Sequence, residues 1–445
     1  MCIKKILLNI FTIERKGGIF MSNKKCIKMI SFILIILIIF MFSVVFATDD
    51  SIYVWSDLTE EINANVSSNE ENTEVENISE EASTEVQDSL NLESGAAILI
   101  EQNTGEVLYE YNCHEQLRPA SVTKIMSILL IMEALDNGEI SLTDKVPCTE
   151  DAAAMGGSQI WLDETEELTV DEMLKAICVV SANDCTVAMA DYLYGSQEAF
   201  VEKMNEKAKQ LGMNDTTFKN CHGIDEDGHL TSAYDIAIMS RELLLNHPSI
   251  TNYTTIWMDT LRDGESELVN TNKLIRNYEG ATGLKTGSTS LALYNLSASA
   301  TRDGLSLIAV IMKAPSTDIR FAEAETLLDY GFDNYQYKIL AEKGEMLQSV
   351  TVTKGIQENV DLVFEEDIGV LLQKGEESQV SQTVNLEENI IAPIYEGQQL
   401  GEVIFTLNGE EVGRTSIIAN DTVEKKTFSN LLNYTYKNWF CLLRE

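Results

Sequence analysis

Basic residues are scarce in this 445-residue chain, and one long stretch contains none of them. The sequence has 32 Lys and Arg against 71 Asp and Glu, a formal net charge of -39 at pH 7. No Lys or Arg occurs between Lys28 and Arg118. Proteins that bind nucleic acid need cations to neutralise phosphates. The composition therefore argues against nucleic acid as a partner.

Metal-binding and disulfide patterns are also missing. The chain has four His and eight Cys, and no pair of cysteines has the Cys-x-x-Cys spacing. An odd number of cysteines lie in the region that we expect to fold: Cys113, Cys148, Cys178, Cys185 and Cys221. This pattern favours buried free thiols over a disulfide framework or a zinc site. We predict no metal and no cofactor.

Residues 1–47 have the pattern of a secretory signal with an extended N-terminus. Lys24, Lys25 and Lys28 precede an apolar run over residues 29–46, and Ala47 is a small residue suited to cleavage. The alternative is an uncleaved membrane anchor, because the run is near the shortest that spans a bilayer. Residues 48–92 are rich in Glu, Asp, Ser, Asn and Thr, which predicts a disordered acidic spacer.

A serine and a lysine three residues apart stand before the most apolar stretch of the expected folded region. Ser121 and Lys124 would lie one helical turn apart, within hydrogen-bond reach of each other. The residues that follow are apolar almost all round, which predicts a buried central helix. Burial lowers the pKa of a lysine, so a neutral Lys124 could take the proton of Ser121. The spacing alone is a weak signal, since Ser22 and Lys25 share it.

Strand patterns occur at both ends of the expected folded region, with helical patterns between them. Residues 97–100 and 107–109 flank a turn as a β-hairpin, and two more strands are predicted over residues 293–300 and 305–313. Helices are predicted over residues 173–180, 196–211 and 232–246. We therefore predict an α+β domain over residues 93–340, an antiparallel sheet with a helical insertion.

Two further motifs carry side chains suited to acyl-transfer chemistry. Ser181 and Asn183 follow an apolar helix, where Ser181 could relay a proton and Asn183 could hold a substrate amide. The bland alternative for this pair is a helix cap or turn. Lys285 and Thr286 could grip a carboxylate from a strand edge, and Gly287 would let a substrate backbone approach. The bland alternative here is an ordinary turn beside a strand.

Taken together, Ser-x-x-Lys, Ser-x-Asn and Lys-Thr-Gly in this order resemble the motif set of penicillin-binding proteins and serine β-lactamases. The match is closer to the low-molecular-mass serine-type D-alanyl-D-alanine carboxypeptidases. It rests on Arg118-Pro-Ala-Ser-Val-Thr-Lys124, Ser181-Ala-Asn-Asp184, Asn220-Cys-His-Gly-Ile-Asp225, Thr231-Ser-Ala-Tyr-Asp235 and Gly283-Leu-Lys-Thr-Gly-Ser-Thr289.

The resemblance implies a serine β-lactamase/transpeptidase-like fold and a penicillin-sensitive enzyme. Its substrate would be a peptidoglycan stem peptide ending in D-Ala-D-Ala, and the inhibitors would be β-lactams. Lys285 and Thr286 would bind the terminal carboxylate, while backbone N–H groups of Ser121 and Ser288 would form the oxyanion hole. His222 matches a position of the family, and we expect a structural role for it.

The C-terminal part has a different pattern. Short alternating stretches and Asn408-Gly409 predict a small β-domain over residues 341–421, which resembles the C-terminal domain of the same family. Residues 422–445 carry large apolar side chains on one helical face, with basic residues nearby. This segment predicts an amphipathic helix that lies on the outer face of the cytoplasmic membrane, or, as the alternative, an ordinary packing helix.

Two other functions stay open at this point. A serine β-lactamase would use the same acyl-enzyme, but such enzymes lack the β-domain and the terminal helix. A non-catalytic wall protein could keep the fold only to bind peptidoglycan, although intact Ser121, Lys124, Ser181, Asn183 and Lys285 argue against it.

Overall fold

The computed structural model describes residues 90–430, so the predicted signal and almost all of the predicted spacer lie outside the described residues. The first domain contains, in chain order, β1 (Ala96–Glu101), β2 (Val107–Tyr111), α1 (Lys124–Asp136), β3 (Lys145–Pro147), α2 (Glu150–Ala153), β4 (Glu167–Thr169), α3 (Val170–Val179), α4 (Asn183–Tyr194), α5 (Gln197–Gln210), α6 (Ala233–Asn246), α7 (Thr251–Thr254), β5 (Met258–Leu261), β6 (Ser266–Val269), α8 (Leu274–Asn277), β7 (Ala281–Thr289), β8 (Leu293–Arg302), β9 (Leu305–Ala314) and α9 (Thr317–Asn334).

The main sheet joins the two ends of this domain. Its five antiparallel strands have the order β2-β1-β9-β8-β7, so the N-terminal hairpin pairs with the last strand, β9. The hairpin, the two later strands and the helical insertion are confirmed. Strand β7 ends the sheet on one side, and its outer backbone edge has no strand partner among the described residues.

Alternate side chains of β1 supply two separate cores. Ile98 and Ile100 pack into a cluster with the helical insertion, whereas Ala97 and Leu99 pack into a cluster with α9 on the other face. Successive strand side chains point to opposite faces, which is why a strand covered on both sides reads as a continuous apolar run. Helix α1 lies inside the first cluster and is buried along nearly its whole length, as predicted.

Capping residues set where several helices begin. Ser196 accepts a hydrogen bond from the backbone N–H of Ala199 and caps α5, and Ser232 caps α6 through Asp235. Thr169 and Glu172 form a capping box at the start of α3. Such caps satisfy N–H groups that lack a partner within the helix. The predicted helices at 196–211 and 232–246 are therefore confirmed to within a residue or two.

The second domain consists of strands that follow α9 directly: β10 (Tyr335–Ala341), β11 (Met346–Thr351), β12 (Asn359–Phe364), β13 (Ile368–Gln373), β14 (Val380–Leu386), β15 (Gln399–Leu407) and β16 (Glu410–Ala419). Five of them form a sheet of order β11-β12-β16-β15-β14, while β10 pairs with β13. We call this the β-domain. Asn408 and Gly409 connect β15 to β16, which confirms the predicted hairpin turn.

The chain stays with the β-domain beyond β16. Val423 and Lys425 form isolated β-bridges with Ile394 and Gly355, so residues predicted to begin the terminal helix are extended here. Residues 428–430 are helical, and the remainder of the predicted helix, from position 431 onward, lies outside the described residues. Within residues 90–430, no helix is both long and apolar enough to cross a membrane.

Candidate active site

Ser121 and Lys124 meet at the start of the central helix. Ser121 lies in a single 3-10 turn, Ala120–Thr123, and Lys124 is the first residue of α1. The Nζ atom of Lys124 is 3.1 Å from Oγ of Ser121, which confirms the expected hydrogen-bond reach. The turn differs from the plain α-helical start that was expected, because Ala120 has a positive φ of 50°.

The amine of Lys124 is enclosed by neutral partners. It donates to Oδ1 of Asn183 at 2.6 Å and to the carbonyl oxygen of His222 at 2.7 Å, and the side chain is fully buried. Burial holds the pKa of Lys124 well below its usual range, and the nearby charge of Lys285 acts in the same direction. This arrangement favours a neutral amine, the form that can accept a proton from a serine.

Ser181 has two unusual features in the loop between α3 and α4. Its φ is 65°, and its Oγ is buried without a hydrogen-bond partner among residues 90–430. An unpaired buried hydroxyl costs about 1–3 kcal/mol, and strained backbone of this kind clusters at functional sites. The N-cap of α4 is Ala182, and no side chain caps this helix, so the bland capping role does not apply to Ser181.

Asn183 connects Lys124 to a neighbouring loop. Its Nδ2 donates to the carbonyl oxygen of Gly156 at 2.7 Å, and its backbone N–H donates to that of Ser158 at 2.7 Å. With Oδ1 on Lys124, the side-chain amide already has partners within the protein. Besides any contact with substrate, Asn183 therefore orients the amine.

Lys285 and Thr286 lie on β7 and are almost inaccessible to solvent. The amine of Lys285 donates to the carbonyl oxygen of Thr286 at 3.1 Å, and burial lowers the pKa of Lys285 to about 7. The hydroxyl of Thr286 donates to Oγ1 of Thr271 at 2.8 Å. Lys285 and Thr286 thus bring an amine and a hydroxyl to one strand, and both groups can donate to a carboxylate.

Gly287 is needed because β7 packs directly on the Ser121 turn. A Cβ at this position would lie 2.8 Å from the backbone nitrogen of Val122 and 2.9 Å from that of Ser121. The close approach expected from a substrate backbone is therefore made by the protein's own backbone. It brings the next residue, the exposed Ser288, close to the Ser121 turn.

Two residues that the sequence patterns did not single out hold β7 and this turn together. The buried guanidinium of Arg320 donates to the carbonyl oxygens of Gly287 and Asn295 at 3.3 and 3.2 Å. The amide of Asn295 donates to the carbonyl oxygens of Arg118 and Pro119 at 2.8 and 3.0 Å. Burial lowers the pKa of Arg320 to about 10. No short motif in the sequence singled out either residue.

His222 and the cysteines have the structural roles that were expected. The Nδ1 atom of His222 accepts from the backbone N–H of Ile224 at 3.2 Å, and burial lowers the pKa of His222 to about 3. The five cysteines in the described region are free and buried. Burial raises the pKa of Cys178 and Cys221 to about 12, which disfavours thiolate chemistry. Within residues 90–430, no cluster of His, Cys, Asp and Glu could hold a metal ion.

One spacing typical of a deacylating carboxylate in β-lactamases occurs after Ser181, at Glu242 and Asn246. Both residues lie at the end of α6, where the amide of Asn246 donates to Glu242 at 2.9 Å. Glu242 also faces Lys207 at 3.6 Å. Neither contact involves Ser121 or Lys124, so nothing in this pair supports the β-lactamase alternative.

The fold and the site together define a serine acyl-transfer enzyme: an α+β transpeptidase-like domain in which a serine and a buried lysine meet next to strand β7. Comparison with known protein families supports this class of enzyme. Residues 81–316 match the D-alanyl-D-alanine carboxypeptidase family of peptidases, and residues 335–425 match the C-terminal domain of penicillin-binding protein 5.

Individual relatives extend this match over most of the chain. The D-alanyl-D-alanine carboxypeptidase DacF of Bacillus subtilis is 45% identical over 78% of this chain and 90% of its own length. Penicillin-binding protein 5 of Haemophilus influenzae is similar in structure, with a TM-score of 0.62 at 30% identity over 75% of this chain and 98% of its own. A penicillin-binding protein of Listeria monocytogenes with bound ampicillin has a TM-score of 0.51 at 32% identity over 55% and 99%. The chain therefore belongs to the D-alanyl-D-alanine carboxypeptidase family of low-molecular-mass penicillin-binding proteins, which are serine peptidases.

Proposed function

We propose that this protein removes the terminal D-alanine from peptidoglycan stem pentapeptides through an acyl-enzyme on Ser121. The observation that carries the proposal is the fully buried amine of Lys124, which touches Ser121 and has neutral partners only. Membership of the family supports the same reaction.

Substrate binding uses the free edge of β7. The stem peptide adds as an extended strand, and its terminal carboxylate meets Lys285 and Thr286. Because Gly287 lies against the Ser121 turn, a peptide on this edge has its penultimate carbonyl near Ser121 Oγ. The carboxylate site thus selects the chain end, as a carboxypeptidase requires.

Acylation starts when Lys124 takes the proton of Ser121, whose Oγ attacks the penultimate carbonyl carbon. Backbone N–H groups of Ser121 and Ser288 stabilise the oxyanion, and one such donor is worth about 3 kcal/mol. The proton then passes from Lys124 to the leaving amine through Ser181, whose hydroxyl has no hydrogen-bond partner in the described part of the chain. D-alanine leaves, and water then hydrolyses the acyl-enzyme. A β-lactam acylates the same serine.

The test compares the purified protein with its Ser121→Ala variant on diacetyl-L-lysyl-D-alanyl-D-alanine, with released D-alanine as the readout. We expect release by the wild type and none by the variant. No release from folded wild type together with penicillin turnover would support the β-lactamase alternative. Absence of both release and covalent penicillin labelling would support the non-catalytic alternative.

We also propose that the protein acts outside the cytoplasm, peripherally on the outer face of the cell membrane. The secretory pattern of residues 1–47 and the amphipathic pattern of residues 422–445 support this location. Phe428, among the last described residues, is 86% exposed and continues that apolar face. Sedimentation with anionic lipid vesicles should retain the full chain and release a variant that ends at residue 427; equal sedimentation would overturn the anchoring role.

A further inference from the structure

An exposed tryptophan stands on the loop beside Asn183. Trp161 has 77% of its surface exposed and a φ of 56°. A positive φ is a rare conformation for a bulky residue, and strain of this kind persists where the surroundings enforce it. Large exposed aromatic side chains are favoured at binding surfaces. Packing in the core explains neither the exposure nor the positive φ of Trp161.

Buried Asp184 enforces this conformation. A single oxygen, Oδ2, accepts the backbone N–H groups of Ile160 at 3.0 Å and of Leu162 at 3.1 Å. The side chains of Ile160 and Leu162 are themselves buried in the core. With both neighbours fixed inward, Trp161 projects into solvent.

Further contacts keep the loop rigid. Arg262 donates to the carbonyl oxygen of Ile160 at 2.9 Å and forms a two-pronged ion pair with Glu166 at 2.6 and 2.8 Å. With the Gln159 amide oriented to donate to Met155, its oxygen accepts the indole N–H of Trp161 at 3.1 Å. An aromatic group held in this way loses little conformational freedom when it binds a ligand.

The loop also adjoins the reacting groups. Asn183, bonded to Lys124, holds the carbonyl oxygens of Gly156 and Ser158. Trp161 is three residues beyond Ser158, a span of at most about 11 Å. A stem-peptide residue placed before D-Ala-D-Ala lies one residue from the acylated carbonyl, and a long side chain there can cover the remaining distance.

We propose that Trp161 forms a subsite for the residue that precedes D-Ala-D-Ala in the stem peptide. The ligand is the aliphatic chain of a diamino acid, which packs on the indole face. The subsite rests on the proposed carboxypeptidase function and adds specificity for the donor side of the scissile bond. Asp184 and Arg262 act as positioning residues for it.

The experiment compares two substrates that differ only at this residue: diacetyl-L-lysyl-D-alanyl-D-alanine and acetyl-glycyl-D-alanyl-D-alanine. Trp161→Asn removes the ring with a residue that tolerates positive φ. We expect about a tenfold loss of kcat/KM on the lysyl peptide, equal to about 1.4 kcal/mol, and no change on the glycyl peptide. Trp161→Phe should keep most of the wild-type rate on both peptides. Tyr395→Ala, a change at an exposed aromatic of the β-domain, is the control and should alter neither rate.

Equal rates on the lysyl peptide for Trp161→Asn and wild type would overturn the subsite, and so would equal losses on both peptides. These outcomes leave Ser121-dependent release of D-alanine intact. Failure of the proposed function is different, because wild type would then release D-alanine from neither peptide. A melting temperature equal to that of wild type verifies that Trp161→Asn is folded.

Discussion

In the first domain, the side chains of Lys124, Asp184 and Lys285 have at most 1% of their surface exposed. In the β-domain, by contrast, Thr415 is the one polar side chain buried among the described residues, and the core is otherwise apolar. Burying ionisable groups costs free energy unless they are well paired. The first domain thus gives up stability to bury ionisable groups, whereas the core of the β-domain is almost entirely apolar.

The largest expected effect comes from a hydroxyl that lacks a partner. Ser181→Ala should slow acylation by penicillin about 100-fold, because the proton relay is lost. It should also raise the free energy of unfolding by about 1 kcal/mol, since an unpaired buried Oγ disappears. Stopped-flow labelling and urea unfolding measure the two quantities.

The matched control is Ser240→Ala, in the same domain. The hydroxyl of Ser240 donates to the carbonyl oxygen of Ile236 at 2.6 Å and pairs with Ser297 at 2.8 Å. This variant should lose about 1 kcal/mol of stability with unchanged acylation. If Ser181→Ala and Ser240→Ala change the acylation rate and the stability in the same way, then Ser181 does not differ from a buried serine with a purely structural role.

A smaller effect is expected from pH, through Lys285. With the pKa of Lys285 lowered to about 7, KM for a peptide carboxylate should rise about tenfold per pH unit above 7. The stability of the fold should also rise with pH over this range. The unfolded lysine titrates near about 10.4, so the unfolded state binds more protons between these two values and the free energy of unfolding rises with pH.

Steady-state kinetics and urea unfolding between pH 6 and 9 check both trends. In Lys285→Met, both KM and the free energy of unfolding should depend less on pH than in the wild type, because the titrating group is gone. A KM that stays flat across this range would contradict the assignment of Lys285 to the carboxylate.

The smallest effect on activity is expected in the β-domain. Leu362→Ala empties a fully buried position and should lower the free energy of unfolding by about 2–5 kcal/mol. Release of D-alanine by the folded protein should not change, because Leu362 packs in a core separate from the site. Met346→Ala, at an exposed position of β11, is the control and should alter neither property. Slower release by Leu362→Ala would mean that the β-domain shapes the site.

The fold and the contact between Ser121 and Lys124 could be predicted from the sequence, because both depend on local patterns. Apolar runs with turn residues between them predicted the hairpin and the buried helix. The spacing of Ser121 and Lys124 predicted their contact, and burial of the helix predicted the lowered pKa of the lysine.

What the sequence could not reveal depends on approaches between distant segments. Arg320 and Asn295 act through backbone carbonyls of other strands and turns, which no short motif encodes. The sequence suggested that the missing side chain of Gly287 leaves room for a substrate backbone, but the backbone of the Ser121 turn fills this room. The exposure of Trp161 follows from Asp184, which is distant in sequence and whose partners only the folded chain reveals.

The open edge of β7 has a consequence for how copies of this protein meet. A strand without a neighbour on one side can pair with the same strand of another molecule, the usual first step of edge-to-edge aggregation. Each molecule carries a net charge of -39, and mutual repulsion keeps such strands apart at low ionic strength. The same negative charge that argues against nucleic acid as a partner therefore also opposes aggregation. Concentrated salt screens this repulsion and should make aggregation easier.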